Sequence, residues 1–211
     1  LYSFAEVEND RLYILSNEGA PRYRLFTADP KRPGRDAWKE LIPQSEFERA
    51  GGELTLLADM CRANALVAVE RAGSGHLGSS FSAMDVVVHL FFAELNTATV
   101  GFDNPDRDVY FSSKGHDAPA LYAVLIGLGL LDEDRLHDLR RLHGLPGHPH
   151  VETPYVQANT GSLGMGISKA KGMALANRLS DIERRIYVLT GDGELQEGQF
   201  WESLISAANR G

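Results

Sequence analysis

The run Thr190-Gly191-Asp192-Gly193-Glu194 follows directly on the apolar segment Ile186-Tyr187-Val188-Leu189. A short β-branched run reads as a buried parallel strand. A carboxylate between two glycines at its C-terminal end can reach a metal ion while bare backbone approaches a phosphate. This is the layout of a metal-diphosphate site, although glycines beside an aspartate also serve ordinary turns by supplying positive φ. Upstream, Ser113-Lys114-Gly115-His116-Asp117-Ala118-Pro119 places a glycine turn after a strand and a proline where a helix begins. His116 then stands beside a helix N-terminus whose amides can meet an anion, or else caps or packs that helix. Thr160-Gly161-Ser162-Leu163-Gly164-Met165-Gly166 precedes an Ala- and Gly-rich helix, so its amides converge on a space in front of that helix, or merely let it pack on a sheet. Ala72-Gly73-Ser74-Gly75-His76-Leu77-Gly78-Ser79 exposes His76 among small residues. Gly144-Leu145-Pro146-Gly147-His148-Pro149-His150 holds His148 in a loop that its prolines keep from being helical. Loop imidazoles gathered with a metal-binding carboxylate suit proton transfers near neutral pH on a polyhydroxylated or carbonyl substrate.

Alternating strands and helices must position these groups. Leu54, Leu57, Ala58, Cys61, Ala65 and Val69 recur at helical intervals. A second helix is expected over 82–95, opened by Ser82-Ala83-Met84-Asp85 as a capping-box variant. A strand at 109–112, helices at 119–130, 132–142 and 166–179, and a strand at 185–190 complete the order. This alternation predicts an α/β fold with a parallel sheet covered by helices on both faces. Residues 1–47 have another texture. Runs at 11–17 and 22–29, joined by the turn Glu18-Gly19-Ala20-Pro21, and a third short strand at 38–42 after a loop with Pro30, Pro33 and Gly34 predict an antiparallel β-meander. The expected units are 1–47 and 48–211, joined near 46–52 by a fusion or an assembly artefact.

The bulk composition narrows the classes. With 211 residues, 43% of them hydrophobic, the chain can bury a real core. A formal charge of -8 argues against general affinity for nucleic acid or an anionic membrane, while a small anion can still be held locally by amides. The single cysteine, Cys61, cannot form an internal disulfide and falls in an apolar helical pattern, which fits a packed thiol in a reducing cytoplasm. The longest apolar stretch, 118–131, is shorter than the roughly 20 residues that span a bilayer and is expected to be a buried helix. No secretory signal is recognisable, and the first residue is Leu1 rather than Met.

Taken together, Ser74-Gly75-His76, Ser113-Lys114-Gly115-His116 with Pro119-Ala120-Leu121-Tyr122, Gly147-His148-Pro149, the 160–166 run and Gly191-Asp192-Gly193-Glu194-Leu195-Gln196-Glu197-Gly198 stand in the order and spacing of the diphosphate-binding domain of transketolases. The resemblance covers 54–211. It implies thiamine diphosphate and a divalent metal, Mg²⁺ or Ca²⁺, with Asp192 as metal ligand. It places Ser79, His116, Gly161, Ser162, Leu163, Gly193 and Glu194 on the cofactor, His76 and His148 on the sugar as catalytic residues, and Glu197 in a subunit-interface network. The implied reaction moves a two-carbon ketol unit from a ketose phosphate to an aldose phosphate in carbohydrate metabolism, in a homodimer with active sites between subunits. In that family a later asparagine completes the metal site and a glutamate of a separate pyrimidine-binding domain activates the cofactor. Neither lies in this sequence, so the polypeptide alone is expected to bind cofactor poorly and to be inactive.

Ser74-Gly75-His76-Leu77-Gly78-Ser79 lacks the proline that often follows this histidine in transketolases and is similar to 1-deoxyxylulose-5-phosphate synthase, whereas Gly147-His148-Pro149 favours transketolase. One component of a split transketolase and a non-catalytic fusion fragment are the remaining alternatives. Asn9 to Leu25, with Trp38 to Pro43, resembles part of a propeller blade of the prolyl oligopeptidase family. No Gly-x-Ser-x-Gly elbow accompanies it, and one partial blade cannot close a ring, so peptidase activity is not implied.

Overall fold

The computed structural model describes residues 54–209 in full, and the backbone course of 2–8, 11–16, 24–28, 39–42 and 44–53. Strands β1 (Tyr2–Glu8), β2 (Arg11–Ser16), β3 (Arg24–Ala28) and β4 (Lys39–Ile42) pair antiparallel in chain order. The meander expected from the sequence is present, with β1 as an additional strand. The turn expected at 18–21 and the loop around Pro30, Pro33 and Gly34 lie outside the described residues.

Helix α1 (Gln44–Ala72) starts before the apolar repeat at Leu54 and runs through the expected junction at 46–52. Of that repeat, Ala58, Cys61 and Ala65 are buried, Leu54, Leu57 and Val69 pack partly buried against the same core, and Ala68 joins them. Cys61 is packed as expected: its thiol points at the Ala123 carbonyl oxygen, 3.8 Å away, and burial pushes the thiol's pKa up. Helix α2 (Leu77–His89) continues into a π-helical turn, Leu90–Glu94. It begins earlier than the sequence pattern suggested, so Ser82-Ala83-Met84-Asp85 lies inside the helix and is no capping box. Ser82 Oγ instead donates back to the Ser79 carbonyl at 3.1 Å, and Asp85 pairs with Arg62 of α1. The physical reason is burial. Ser80, Ala83, Met84 and Val87 all enter the core, which draws the chain into helix directly after the glycines at 73 and 75.

After the short α3 (Thr97–Val100) comes β5 (Val109–Ser112), and then α4 (Ala118–Gly127), buried throughout 118–126. No helix among the described residues is long and apolar enough to cross a membrane. The helix expected over 132–142 is only a 3₁₀ turn, Glu133–His137. Leu139 and Leu145 are both buried in the core, and anchoring them folds the chain back. Asp138 accepts the Leu145 amide at 3.1 Å, and Arg140 and His143 take positive φ. Helix α5 (Gly166–Ser180), strand β6 (Ile186–Leu189), a 3₁₀ turn (Gly193–Gln196) and α6 (Gly198–Ala208) follow.

Strands β5 and β6 pair in parallel, with Val109 opposite Ile186 and Ser112 opposite Leu189. Side chains alternate across the pair. Tyr110, Tyr187 and Leu189 enter a core shared with α1, α2 and α4. Val109, Phe111 and Val188 meet Ile167, Ala170 and Met173 of α5 on the other side. Helices thus cover both faces, as a parallel sheet requires. At the N-terminal ends the pair is pinned by Arg185, which donates to the buried carboxylate of Asp108 at 2.8 Å, while the Tyr187 hydroxyl donates to Glu94 at 2.8 Å. The C-terminal ends are left to carry the motif-bearing loops.

Leu125 is fully buried in the larger core. Leu125→Ala should therefore lower the unfolding free energy by about 2–5 kcal/mol, read from urea titration followed by circular dichroism.

Candidate functional site

The parallel register fixes the site. Ser113 donates its amide to the Leu189 carbonyl at 2.8 Å, extending the β5–β6 ladder by one step. Ser113-Lys114-Gly115-His116 and Thr190-Gly191-Asp192-Gly193 therefore leave the sheet side by side, at the carboxyl ends of the strands where open α/β sheets bind ligands. The third loop, 160–166, is held against both. Gly115 has φ +67°, and a Cβ there would come within 2.6 Å of the Gly161 nitrogen, so only glycine lets these turns touch. A Cβ at Gly166 would collide with Ser113 Oγ, so α5 starts directly on the end of β5.

Between these loops and the first turns of α2 lies a cavity of about 310 Å³, lined by Gly78, Ser79, Ser82, Lys114, His116, Leu163, Gly191, Asp192, Gly193 and Glu194. Of the cofactor and metal residues expected from the sequence, Ser79, His116, Leu163, Asp192, Gly193 and Glu194 share it. Gly161 and Ser162 are not among its lining residues. Gly161 is wedged between Gly115 and the ring of His148, and the Ser162 carbonyl accepts the Met165 amide at 3.4 Å.

The imidazoles form a group next to the cavity. The His76 and His116 rings are 4.8 Å apart, centroid to centroid, and His148 feels the charge of His76. His76 precedes the first turn of α2. His148 is held from two sides: the Tyr122 hydroxyl donates to the Pro146 carbonyl at 2.9 Å, and Thr160 donates its amide to the Pro149 carbonyl at 3.4 Å. Burial lowers the pKa of His116, with Lys114 and His76 adding to the effect and Asp117 opposing it. Burial lowers that of His148 too, together with Arg140 and His76, again against Asp117. Both imidazoles are thereby favoured in the neutral form, able to donate and to accept a proton.

Two expectations about backbone amides change. The first amides of α4 are spent locally, Ala118 on the Gly115 carbonyl at 3.1 Å and Ala120 on the Asp117 carbonyl at 2.9 Å. In the 160–166 turn, Gly164 donates to Glu194 at 2.7 Å and Gly166 to Ser113 Oγ at 2.9 Å. What the first of these turns offers an anion is therefore side chains. Lys114, nearly buried and 3.5 Å from Asp117, lines the cavity beside His116. Lys114, Ser82 and Gly78 were not singled out from the sequence. Lys114 was visible within its motif as a cation next to a diphosphate-like turn. Ser79 and Ser82 became one helical face only once α2 was seen to begin at Leu77.

The donor set fits a metal-bound diphosphate. Asp192 presents an exposed carboxylate to the cavity, the hard-oxygen chemistry that a divalent cation takes. Among the described residues no cluster of three or more potential metal-ligating side chains exists. Leu163, 39% exposed, offers an apolar surface to a flat ring. Glu197 is exposed and lies against Gly164, where a Cβ would meet its side chain at 2.8 Å.

A family profile described as "Transketolase, thiamine diphosphate binding domain" matches residues 54–211. The chain belongs to the transketolase family. It is 44% identical over 136 residues to a subunit of the apulose-4-phosphate transketolase of Actinobacillus succinogenes, covering 64% of this chain and 49% of that protein. It is 40% identical over 153 residues to human transketolase, covering 72% of this chain and 25% of that one. The crystal structure of transketolase from Campylobacter jejuni superposes with a TM-score of 0.63 at 32% identity, over 71% of this chain and 25% of that one. The chain thus spans between a quarter and a half of the length of these relatives. A second profile, "Prolyl oligopeptidase, N-terminal beta-propeller domain", matches residues 1–99 and includes the segment where the sequence resembles a blade. Its part beyond residue 54 is helical here, in α1 to α3.

The depressed imidazoles carry a pH signature. A histidine whose folded pKa is lowered binds its proton better in the unfolded chain, so its contribution to stability is intact above about pH 6.5 and is lost as pH falls toward the folded value. His116 and His148 should titrate below about 6.5 by proton NMR. Urea midpoints should drop with acidification through that window, less steeply in the double variant His116→Ala, His148→Ala.

Proposed function

We propose that this chain builds the diphosphate-binding part of a transketolase-type site that transfers a two-carbon ketol unit from a ketose phosphate to an aldose phosphate. The observation that carries this reading is one cavity shared by Asp192, Gly193, Lys114, His116, Ser79 and Leu163, with the His76–His116–His148 group beside it. Thiamine diphosphate, bound there with Mg²⁺ or Ca²⁺, would supply the carbanion chemistry that breaks and remakes a carbon–carbon bond next to a carbonyl. Asp192 would hold the metal, and Lys114 and His116 would neutralise phosphate charge. Leu163 would support the ring system, with Gly161 and Ser162 keeping the turn beneath it in place.

His76 and His148 are assigned to the sugar. Their imidazole N–H groups can donate to a carbonyl or hydroxyl oxygen as negative charge develops, and take the proton back afterwards, without placing a permanent negative charge beside the reacting carbon. The proposed 48–211 unit would carry this role, with 1–47 assigned to another unit and α1 (Gln44–Ala72) running across the boundary between them. Glu197, exposed against the 160–166 turn, is assigned to the contact between the two protomers of a homodimer. Among the described residues lining the cavity, Asp192 and Glu194 are the carboxylates, and Glu194 is occupied by amide and hydroxyl donors. The resemblance puts the cofactor-activating glutamate in a separate pyrimidine-binding domain, so this chain by itself should bind weakly and not turn over.

A second reading keeps the chemistry and changes the assembly. The 44% identity to a protein named as one subunit of a transketolase supports a split enzyme in which a second polypeptide completes the site. Co-purification of a tagged chain from its source, with ketol transfer appearing only in the joint fraction, would favour it over the homodimer.

Titration calorimetry with thiamine diphosphate should reveal weak binding that requires Mg²⁺ or Ca²⁺. Asp192→Asn should abolish the metal dependence. Lys114→Ala should weaken binding roughly 10–100-fold, the range of one lost charge-assisted contact. Binding of equal strength without metal, or unchanged in both variants, would refute the assignment.

A further inference from the structure

Two neighbouring carboxylates at the end of β6 sit in opposite environments. Asp192 is exposed, whereas Glu194 is 2% exposed and among the largest fully buried side chains of the molecule. Burying a carboxylate is costly unless donors surround it. Glu194 finds them on the segments that build the site. Gly164 of the 160–166 turn donates its amide to Oε1 at 2.7 Å, and the Ser113 hydroxyl, at the end of β5, donates to the same oxygen. Gly191, at the end of β6, donates its amide to Oε2 at 3.0 Å. Ser113 Oγ in turn accepts the amide of Gly166, the first residue of α5, at 2.9 Å.

These partners are separated by 81, 30, 3 and 53 residues in sequence, and through Glu194 the 160–166 turn is tied to the ends of both strands at once. Without the carboxylate, the Gly164 and Gly191 amides would be donors with nothing to receive them, and the turn carrying Leu163 would lose its tie to Asp192. Resting on the functional reading above, we propose that Glu194 is a positioning residue. Its charge is used inside the protein to lock the 160–166 turn and the Gly191-Asp192-Gly193 turn onto the end of β5, so that the ligand surface is formed before the ligand arrives. Pre-organisation of this kind lowers what binding must spend on ordering loops. Glu194 would then contribute to cofactor affinity without touching phosphate or metal.

The two side-chain oxygens make the proposal testable by a change at a single atom position. In Glu194→Gln one oxygen becomes an NH₂ group, which faces an N–H or O–H donor and cannot accept from it. Amide spectra of the ¹⁵N-labelled chain, with hydrogen exchange, should show Gly164 and Gly191 protected in the wild type. In Glu194→Gln at least one of them should exchange roughly tenfold faster, the effect of one lost charge-assisted bond, while the Ser113 amide in the β5–β6 ladder stays protected. Shift titration with thiamine diphosphate and Mg²⁺ should give an affinity reduced by roughly 5–100-fold. Ser113→Ala, which leaves both amide donors on Glu194, should retain Gly164 and Gly191 protection and lie between the two in affinity. It keeps the test open if Glu194→Gln does not fold. Unchanged protection of both glycines in Glu194→Gln, or wild-type affinity with protection lost, would overturn the proposal. Should the wild-type chain itself bind no cofactor while Gly164 and Gly191 still depend on Glu194, the functional reading fails and the clamp stands.

Discussion

The parallel pairing of β5 with β6 is the constraint on which the rest depends. With Ser112 set opposite Leu189 and the Ser113 amide bonded to the Leu189 carbonyl, both strands end at the same height. The two loops that follow must then emerge together. Each strand alternates its side chains between two cores. One core is closed by α1, α2 and α4 and the other by α5, so neither strand can slip by a residue without turning buried groups outward. The register that protects the cores is also the one that places Lys114 and His116 across from Asp192.

The polar groups around that point divide into those that serve the fold and those left for a ligand. The early amides of α4, and those of Gly164 and Gly166, are satisfied within the protein. Glu194 is likewise committed. What remains on the cavity, besides the hydroxyls of Ser79 and Ser82, includes one exposed carboxylate, one nearly buried lysine paired with Asp117, and one imidazole whose proton is held loosely because of burial. The opposite end of the strand pair is closed by Arg185, which pairs with both Asp108 and Glu94. The cavity and the ion-paired closure are thus separated along a few residues of sheet, which is possible because parallel strands gather their loops at two distinct ends.

Several parts of this arrangement were legible beforehand. The apolar run before Gly191, the helical repeat from Leu54, the buried stretch starting at Ala118 and the glycine turns each report a local requirement: a strand buried on both faces, a core-facing helix, or a backbone position that a Cβ would block. Other parts were read wrongly for equally local reasons. Ser82 to Asp85 has the composition of a helix start, yet core burial of Ser80 and Ala83 begins the helix earlier. Residues 132–142 have helix-forming charges, yet Leu139 and Leu145 are drawn into the core from a turn.

The sequence by itself determined the α/β class and the family, and it singled out His76, His116, His148 and Asp192 as candidates, because residue type and short spacing carry that information. Which of them share a cavity, which amides are already spent, and that Glu194 faces inward while Asp192 faces out were decided only in three dimensions. Those outcomes depend on contacts between residues as far apart as Ser113 and Glu194. A hydrogen bond over such a separation leaves no periodicity or local composition to read. It exists only once the strands have paired and the cores on either side have closed.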